Sequence, residues 1–567
     1  MPSAEVQATD LPGSTSIRLA PLVLGNRAQR HAQWAQACAL YLQAVQEQPG
    51  AAWIKDNLKL LAQQYRRRPR CDGELSVGVC GWELSHNAAG RVQMLADLYG
   101  NFANVELLGC HFPKWGRSLW SPLVPARFPV HSFVVDDESS FMRLAMALVA
   151  AHPYDVVHLS KPRAPTLFIG LLYKLLWRAQ VLVDVDDEEL AFVGGLDALN
   201  VEAVVQAKGG LPPLQALAGA DWTRLAVGLV GAFDGVTVSN PSLQQRYGGQ
   251  LLRHARDQNL FDRAAVARAA SRARFGIEAG KKVVLFFGTP RAHKGLVETA
   301  EAVAQLPSRD VVFVVAGDFP DPALMQRLLQ VPGCDTRLLG AQPYADIAQV
   351  VALADVCVLL QQPGALVADF QVPAKLSDAL AMGVPVLSRR TPPLAEFIDA
   401  GAVAEVGPGG LAADLWRLLS DEACRRLQSE QALAVFQQKL SFPVNAQVLK
   451  DLDTATPLAG RSREWAWPDP ATLATSSPPQ RLEDLLAPAF YGNHAAHAAP
   501  AAGINAAPTA PAVSPALATQ PQATPTIQHS GPFAVVCHVF YLELWPDLLA
   551  VIQRLPRDVA VYITTPA

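Results

Sequence analysis

At 567 residues the chain is too long for one hydrophobic core, which predicts several folded units. A formal net charge of -4, with 17% of residues charged, gives no long-range pull on a polyanion and excludes nucleic acid as a leading partner. The eight cysteines (38, 71, 80, 110, 334, 357, 424 and 537) contain no CxxC pair, which argues against a cysteine zinc site or a disulfide framework and fits a reducing compartment.

The first residues, MPSAEVQATDLPGSTS, lack the basic-then-apolar form of a signal peptide, and positions 1–26 read as disordered. From 27 to 70 Trp34, Ala37, Tyr41, Ala44 and Val45 recur at helical spacing, Pro49 interrupts, and Trp53, Leu58 and Leu61 resume the pattern. This is a tetratricopeptide-like helical segment that must pack on a neighbour or on a protein partner to bury its face. The run RRRPR (66–70) reads as a solvated boundary.

From 75 to 265, apolar runs at 75–81, 105–109, 155–160, 179–186 and 235–240 alternate with helical stretches. A second alternation, from 275 to 442, has runs at 283–288, 311–317, 336–340, 356–360, 384–388 and 402–407. Each predicts an α/β domain with a doubly wound, parallel sheet, and the two together predict a cleft between strand ends. The apolar stretch Leu167 to Trp177 contains Lys174 and is far shorter than the roughly 20 residues of a membrane span.

Residues 443–530 read as an irregular, Ala/Pro-rich linker, because such a composition buries too little apolar surface to offset ordering entropy. Residues 531–567 then read as strand (532–541), helix (542–555) and strand (558–565). One β-α-β unit is not a domain, so the rest of this unit is expected to lie beyond residue 567.

The segment Gly288-Thr-Pro-Arg-Ala-His-Lys-Gly295 follows a strand and opens a helix. Backbone N–H groups and the positive end of the helix dipole make such a turn a seat for a diphosphate, and Arg291 and Lys294 add full charges. A basic turn that only caps a helix is the plainer reading. In Pro373-Ala-Lys-Leu-Ser-Asp-Ala-Leu, a Leu/Ala core face explains Leu376 but not Lys375 and Asp378; a carboxylate in the early turns can accept both ribose hydroxyls.

FFGTPRAHKGL followed by PAKLSDALAMGVPVLS resembles the C-terminal domain of glycosyltransferase family 4, whose fold is GT-B: two Rossmann-like domains facing a cleft. The resemblance covers about 75 to 442. It implies that Gly288, Arg291, Lys294, Pro373, Lys375, Leu376 and Asp378 bind the donor, with Arg291 and Lys294 also stabilising the leaving diphosphate. Asp378 stands for the second of the family's paired glutamates, Phe370 falls where the first would be, and Arg291 lies closer to Lys294 than in the usual motif.

In the first domain, the loop with His86, Asn87, Gly90 and Arg91 follows the first strand, where small residues let a sugar or phosphate approach; helix capping is the plainer reading. With His158, Lys161 and Asp184 these residues are expected to face the acceptor. Asp186, in Asp184-Val-Asp-Asp-Glu-Glu189, falls where family 4 relatives carry a histidine, and is expected to position the acceptor or stabilise an oxocarbenium-like transition state. The literal DxD suggests metal assistance, but the cationic seat in the second domain argues for no metal and no cofactor. Ser239-Asn-Pro241 and His254-Ala-Arg-Asp257 lie at the crossover between domains, as donor-facing loop or hinge.

The C-terminal FAVVCHVFYLELWPDLLAVI…VAVYITT is similar to the opening of the rhamnan synthesis protein F family. The expected function is retaining transfer of a sugar from a nucleoside diphosphate to a bacterial surface polysaccharide or lipid-linked acceptor, in the cytoplasm at the inner membrane face. A catalytically silent nucleotide- or sugar-binding module and a nucleotide-sugar epimerase are the alternatives.

Overall fold

A computed structural model describes residues 20–47, 54–70, 75–200, 204, 212–362, 364–454, 534–538 and 560–564, in two compact units, Met1–Ala498 and Ala499–Ala567. In the larger unit three helices, Ala20–Arg30, Trp34–Glu47 and Ile54–Arg67, come first. Helix therefore begins inside the stretch expected to be disordered. Gly25 is needed there, because a Cβ would lie 2.7 Å from the buried Tyr41 ring.

The basic run 66–70 is largely exposed, as expected of a solvated boundary, and it is also an anchor. Arg66 and Arg68 donate to the carbonyl and carboxylate of buried Asp155, at 2.7 and 3.1 Å, and Arg70 adds a third guanidinium at 3.7 Å. Tyr65 packs its ring 5.2 Å from that of Trp177 and donates to the Pro153 carbonyl. The apolar face of the segment is thus buried against the first α/β domain.

That domain holds a seven-stranded parallel sheet: β1 (Leu75–Gly81), β2 (Ala103–His111), β3 (Val130–Val134), β4 (Val156–Ser160), β5 (Gln180–Val185), β6 (Gly235–Val238) and β7 (Gln250–Leu251), in the order β3-β2-β1-β4-β5-β6-β7. The second holds a six-stranded parallel sheet: β8 (Lys282–Phe287), β9 (Val311–Ala316), β10 (Asp335–Gly340), β11 (Val356–Leu359), β12 (Val386–Ser388) and β13 (Val403–Glu405), ordered β10-β9-β8-β11-β12-β13. Continuous Val/Leu/Phe runs suit strands covered by helices on both faces. In each sheet the order reverses once, between β1 and β4 and between β8 and β11, and ligands bind such sheets beyond the carboxyl ends at that reversal.

Residues 443–454 are not irregular. The helix Phe442–Thr454 returns to the first domain and buries Phe442, Ala446 and Leu449 against the core that includes Leu75, Leu98 and Leu252. In the smaller unit, β14 (Ala534–His538) pairs in parallel with β15 (Ala560–Thr564). The linker expected at 455–530 and the helix at 542–555 lie outside the described residues. No helix among the described residues is long and apolar enough to cross a membrane.

Candidate functional site

The carboxyl end of β8 leads into Gly288, whose φ of +91° suits a residue without a Cβ. A Cβ there would sit 3.3 Å from Lys375 Nζ, so the turn lets a lysine from 87 residues downstream close on the loop. Gly295, at φ +67°, ends the turn, and a Cβ would strike Leu360 beyond β11 at 2.7 Å. The helix Leu296–Ala304 starts immediately after.

Three cations converge on this turn. Arg291 is exposed, Lys294 is half-buried and donates to the Thr289 carbonyl at 2.9 Å, and the buried Lys375 Nζ lies 3.9 Å above the Phe286 ring with no hydrogen-bond partner among the described residues. Burial and the neighbouring Arg291 push Lys294 down to about 8, against the pull of Asp187. Burial, with repulsion from Lys294, holds Lys375 well below the usual lysine range. Clustered, desolvated cations of this kind are poised for an anion with several oxygens.

The helix Ala374–Ala381 begins after Pro373. Its Leu376 is buried in the second domain's core, so its side chain does not face the donor as expected. Asp378 is also buried, and its carboxylate accepts from Arg256 of the interdomain connection through Nε and, at 3.4 Å, through Nη2. Phe370 packs against the core of the first domain, and its carbonyl accepts from Asn240 Nδ2 at 2.8 Å. Next to it Gln371 donates to Asp187 at 2.7 Å. The loop before the helix thus joins the two domains across the cleft.

On the opposite wall Lys161, held at φ +70°, reaches into the acidic cluster beyond β5. Its Nζ lies 2.8 Å from Asp186, 2.7 Å from Asp187 and 3.2 Å from Glu189. Those three carboxylates are close enough to share a cation, and the lysine ammonium occupies the place between them. Burial pushes Asp186 up to about 7 despite Lys161, with Asp187 and Asp184 adding to the rise. Asp187 feels the same burial but is held at about 2 by Lys161 and Gln371.

Arg91, His158 and Asp184 do not face an acceptor as expected. Arg91 binds Asp184 through two parallel hydrogen bonds of 2.8 and 2.7 Å, and donates to the Leu252 and Arg253 carbonyls. His158 is fully buried between Tyr99 and Thr237, and Thr237 also donates to Asp184 at 2.7 Å. Every member is satisfied, which makes this an internal brace tying β4, β5, β6 and the first helix of the domain together. Lys161 is likewise consumed by the acidic cluster.

What the first wall offers instead is aromatic. His86 is half-buried, hydrogen-bonded to buried Glu83, and stacked on Trp115 with centroids 5.1 Å apart and planes 6° apart. Trp115 meets Trp82 edge-on at 5.0 Å, and Lys114 Nζ lies 4.0 Å over it. Asn87 is exposed, and Gly90 leaves its Cβ position 3.6 Å from the Trp120 ring. Such a surface suits the apolar face of a sugar ring. Trp115, Lys114, Gln371 and the pairing of Arg256 went unread in the sequence, although the HARD motif hinted at Arg256; Asp187 was read only as part of the acidic run 184–189.

Residues 281–421 match the family model described as glycosyl transferases group 1. Among solved structures, HepE of Anabaena in complex with UDP and glucose is 18% identical, with a TM-score of 0.51, covering 67% of this chain and 100% of its own. HepE with UDP alone gives 18% identity, the same coverage and a TM-score of 0.50. Sucrose-phosphate synthase of Thermosynechococcus elongatus is 17% identical over 67% of this chain and 100% of its own, at a TM-score of 0.48. No curated protein matches the sequence. The match to the group 1 model thus lies within the second α/β domain, and the two α/β domains together have the GT-B fold.

Proposed function

From a chain that carries a group 1 glycosyltransferase domain on a GT-B fold, we propose a retaining, metal-independent transferase of the family 4 type. It moves a sugar from a nucleoside diphosphate to a growing bacterial surface polysaccharide, of O-antigen type, or to a lipid-linked acceptor at the inner membrane face. The observation that carries this reading is the convergence of Arg291, Lys294 and Lys375 at the β8 turn, with Lys375 Nζ buried and unpartnered. A diphosphate placed there supplies the missing acceptor oxygens, and the start of the helix Leu296–Ala304 adds backbone N–H groups.

In the proposed reaction the bond from the anomeric carbon to the diphosphate oxygen breaks, and its electron pair leaves with the nucleoside diphosphate. The three cations stabilise that departing charge in a desolvated cleft. The acceptor hydroxyl bonds to the anomeric carbon on the same face and passes its proton to the leaving diphosphate. Asp186, next to Lys161 on the facing wall, stabilises the positive charge that builds on the sugar ring. The His86–Trp115 surface holds the acceptor sugar. UDP is the first nucleotide to test, because the HepE structures hold it. The resemblance of residues 531–567 to the rhamnan synthesis protein F family supports a polysaccharide setting.

One observation favours a second reading. Asp378 is held by Arg256 and Phe370 is turned into the first domain, which leaves the ribose and sugar contacts of the family unmade. A catalytically silent nucleotide-binding module would show this. Incubation of the full chain with nucleotide sugars, read by NMR for free or transferred sugar and its anomeric configuration, separates the two. Release or transfer with retention supports the enzyme, and saturable nucleotide binding without turnover supports the module.

A further inference from the structure

We infer that Glu106, His131 and His152 form a binding site for a divalent transition-metal ion of the zinc class, at the end of the first sheet away from the cleft. Glu106 lies in the amino-terminal half of β2, His131 is the second residue of β3, and His152 caps the helix Phe141–Ala151 just ahead of β4. The β2–β3 register pairs Leu108 with His131, and the two-residue period puts Glu106 on the same face as Leu108. Three separate elements thus deliver one carboxylate and two imidazoles to one spot.

The ligating atoms of all three lie within 4.8 Å of one another. Glu106 Oε2 is 3.1 Å from His131 Nε2, and the two imidazole rings stack at 3.7 Å. Two nitrogens and a carboxylate oxygen match the donor preference of zinc, and three protein ligands leave a position for water. One support of the kind that orients metal ligands is present, the Tyr154 hydroxyl donating to Glu106, and the Tyr173 hydroxyl holds the His152 backbone through its carbonyl at 2.8 Å. All three ligands are half-buried, within reach of an ion from solvent, and ligation by both imidazoles would require the stacked rings to swing apart. The contrast with the cleft is direct, since there Lys161 already fills the space between Asp186, Asp187 and Glu189. A bound ion would tie the edge strand β3 to its neighbour and to the start of β4.

The test uses the full chain after chelator treatment, titrated with Zn2+ by calorimetry and with Co2+ by visible absorption. The site predicts one saturable Zn2+, a Co2+ spectrum with nitrogen ligands and a higher Tm with zinc. The His131→Asn/His152→Asn double variant loses affinity by about tenfold or more, with UDP binding unchanged. If that variant does not fold, Glu106→Gln, which keeps an acceptor for Tyr154, is read in its place and shows the same direction of loss. Absence of saturable zinc binding, or binding equal in wild type and variants, overturns the proposal.

Discussion

Arg256 and Asp378, 122 residues apart, form a buried ion pair at the junction of the two α/β domains. Burial lowers Arg256 while Asp378 raises it, with a net rise above the ordinary arginine value. The carboxylate that the family resemblance assigns to the donor ribose therefore also joins the interdomain connection to the donor-side helix. A nucleotide that recruits Asp378 must compete with, or share, this guanidinium, which links donor binding to the domain junction.

Removing one partner of a buried pair strands the other charge. Arg256→Ala and Asp378→Ala are each expected to lower unfolding stability by about 3–5 kcal/mol. The double replacement Arg256→Met/Asp378→Leu is expected to regain much of that loss. Chemical denaturation of the three variants checks this.

The donor-side cations oppose stability and favour binding. Lys375→Met removes a buried amine that has no hydrogen-bond partner among the described residues, so Tm is expected to rise, while nucleoside diphosphate affinity falls by about 10–100-fold for the lost charged hydrogen bonds. Paired thermal-shift and calorimetric measurements read both directions in one variant.

Nucleotide affinity is expected to fall as pH rises through about 8, the value to which burial and Arg291 lower Lys294. Below it the free site carries the protonated amine that a diphosphate needs; above it, binding must first take up a proton. The stability of the free protein has the opposite slope. Because the unfolded chain keeps an ordinary lysine, it binds more protons than the folded one above about 8, and the folded state gains stability until the ordinary lysine value is passed. Calorimetry and denaturation across this window test the two slopes.

Lys161 is expected to act as a built-in counter-cation. Lys161→Ala leaves Asp186, Asp187 and Glu189 without the ammonium between them, and is expected to lower stability by about 3–5 kcal/mol. Three converging carboxylate oxygens then suit a hard divalent ion, so Mg2+ or Mn2+ is expected to restore part of the Tm in the variant and to change the wild type little. A metal-independent Tm in the variant would count against this role.

The apolar runs of β1, β4 and β5 and of β8, β9, β11 and β12 were legible because buried parallel strands are rich in Val, Leu and Phe, while the edge strands β10 and β13 were legible from shorter apolar runs flanked by glycine. β3 was not, because VHSFV is a half-buried edge strand carrying His131 and Ser132, and β7 has only two residues. Lys294 and Lys375 could be named separately from the residues around them. What pairs with Asp184, Asp378 or Lys161 could not, since Arg91, Arg256 and the acidic cluster meet them only through the winding of the sheets. The same holds for RRRPR, where nothing local marks Asp155 as the acceptor that binds it.

The most direct measurement is calorimetric titration of the full chain with UDP and the other nucleoside diphosphates, alongside Lys294→Ala/Lys375→Met. The cation cluster at the β8 turn predicts one saturable site for at least one nucleotide in the wild type and its loss in the double variant. No binding of any nucleotide to the wild type, or equal binding by the folded variant, would contradict the assignment of this turn as the donor diphosphate site.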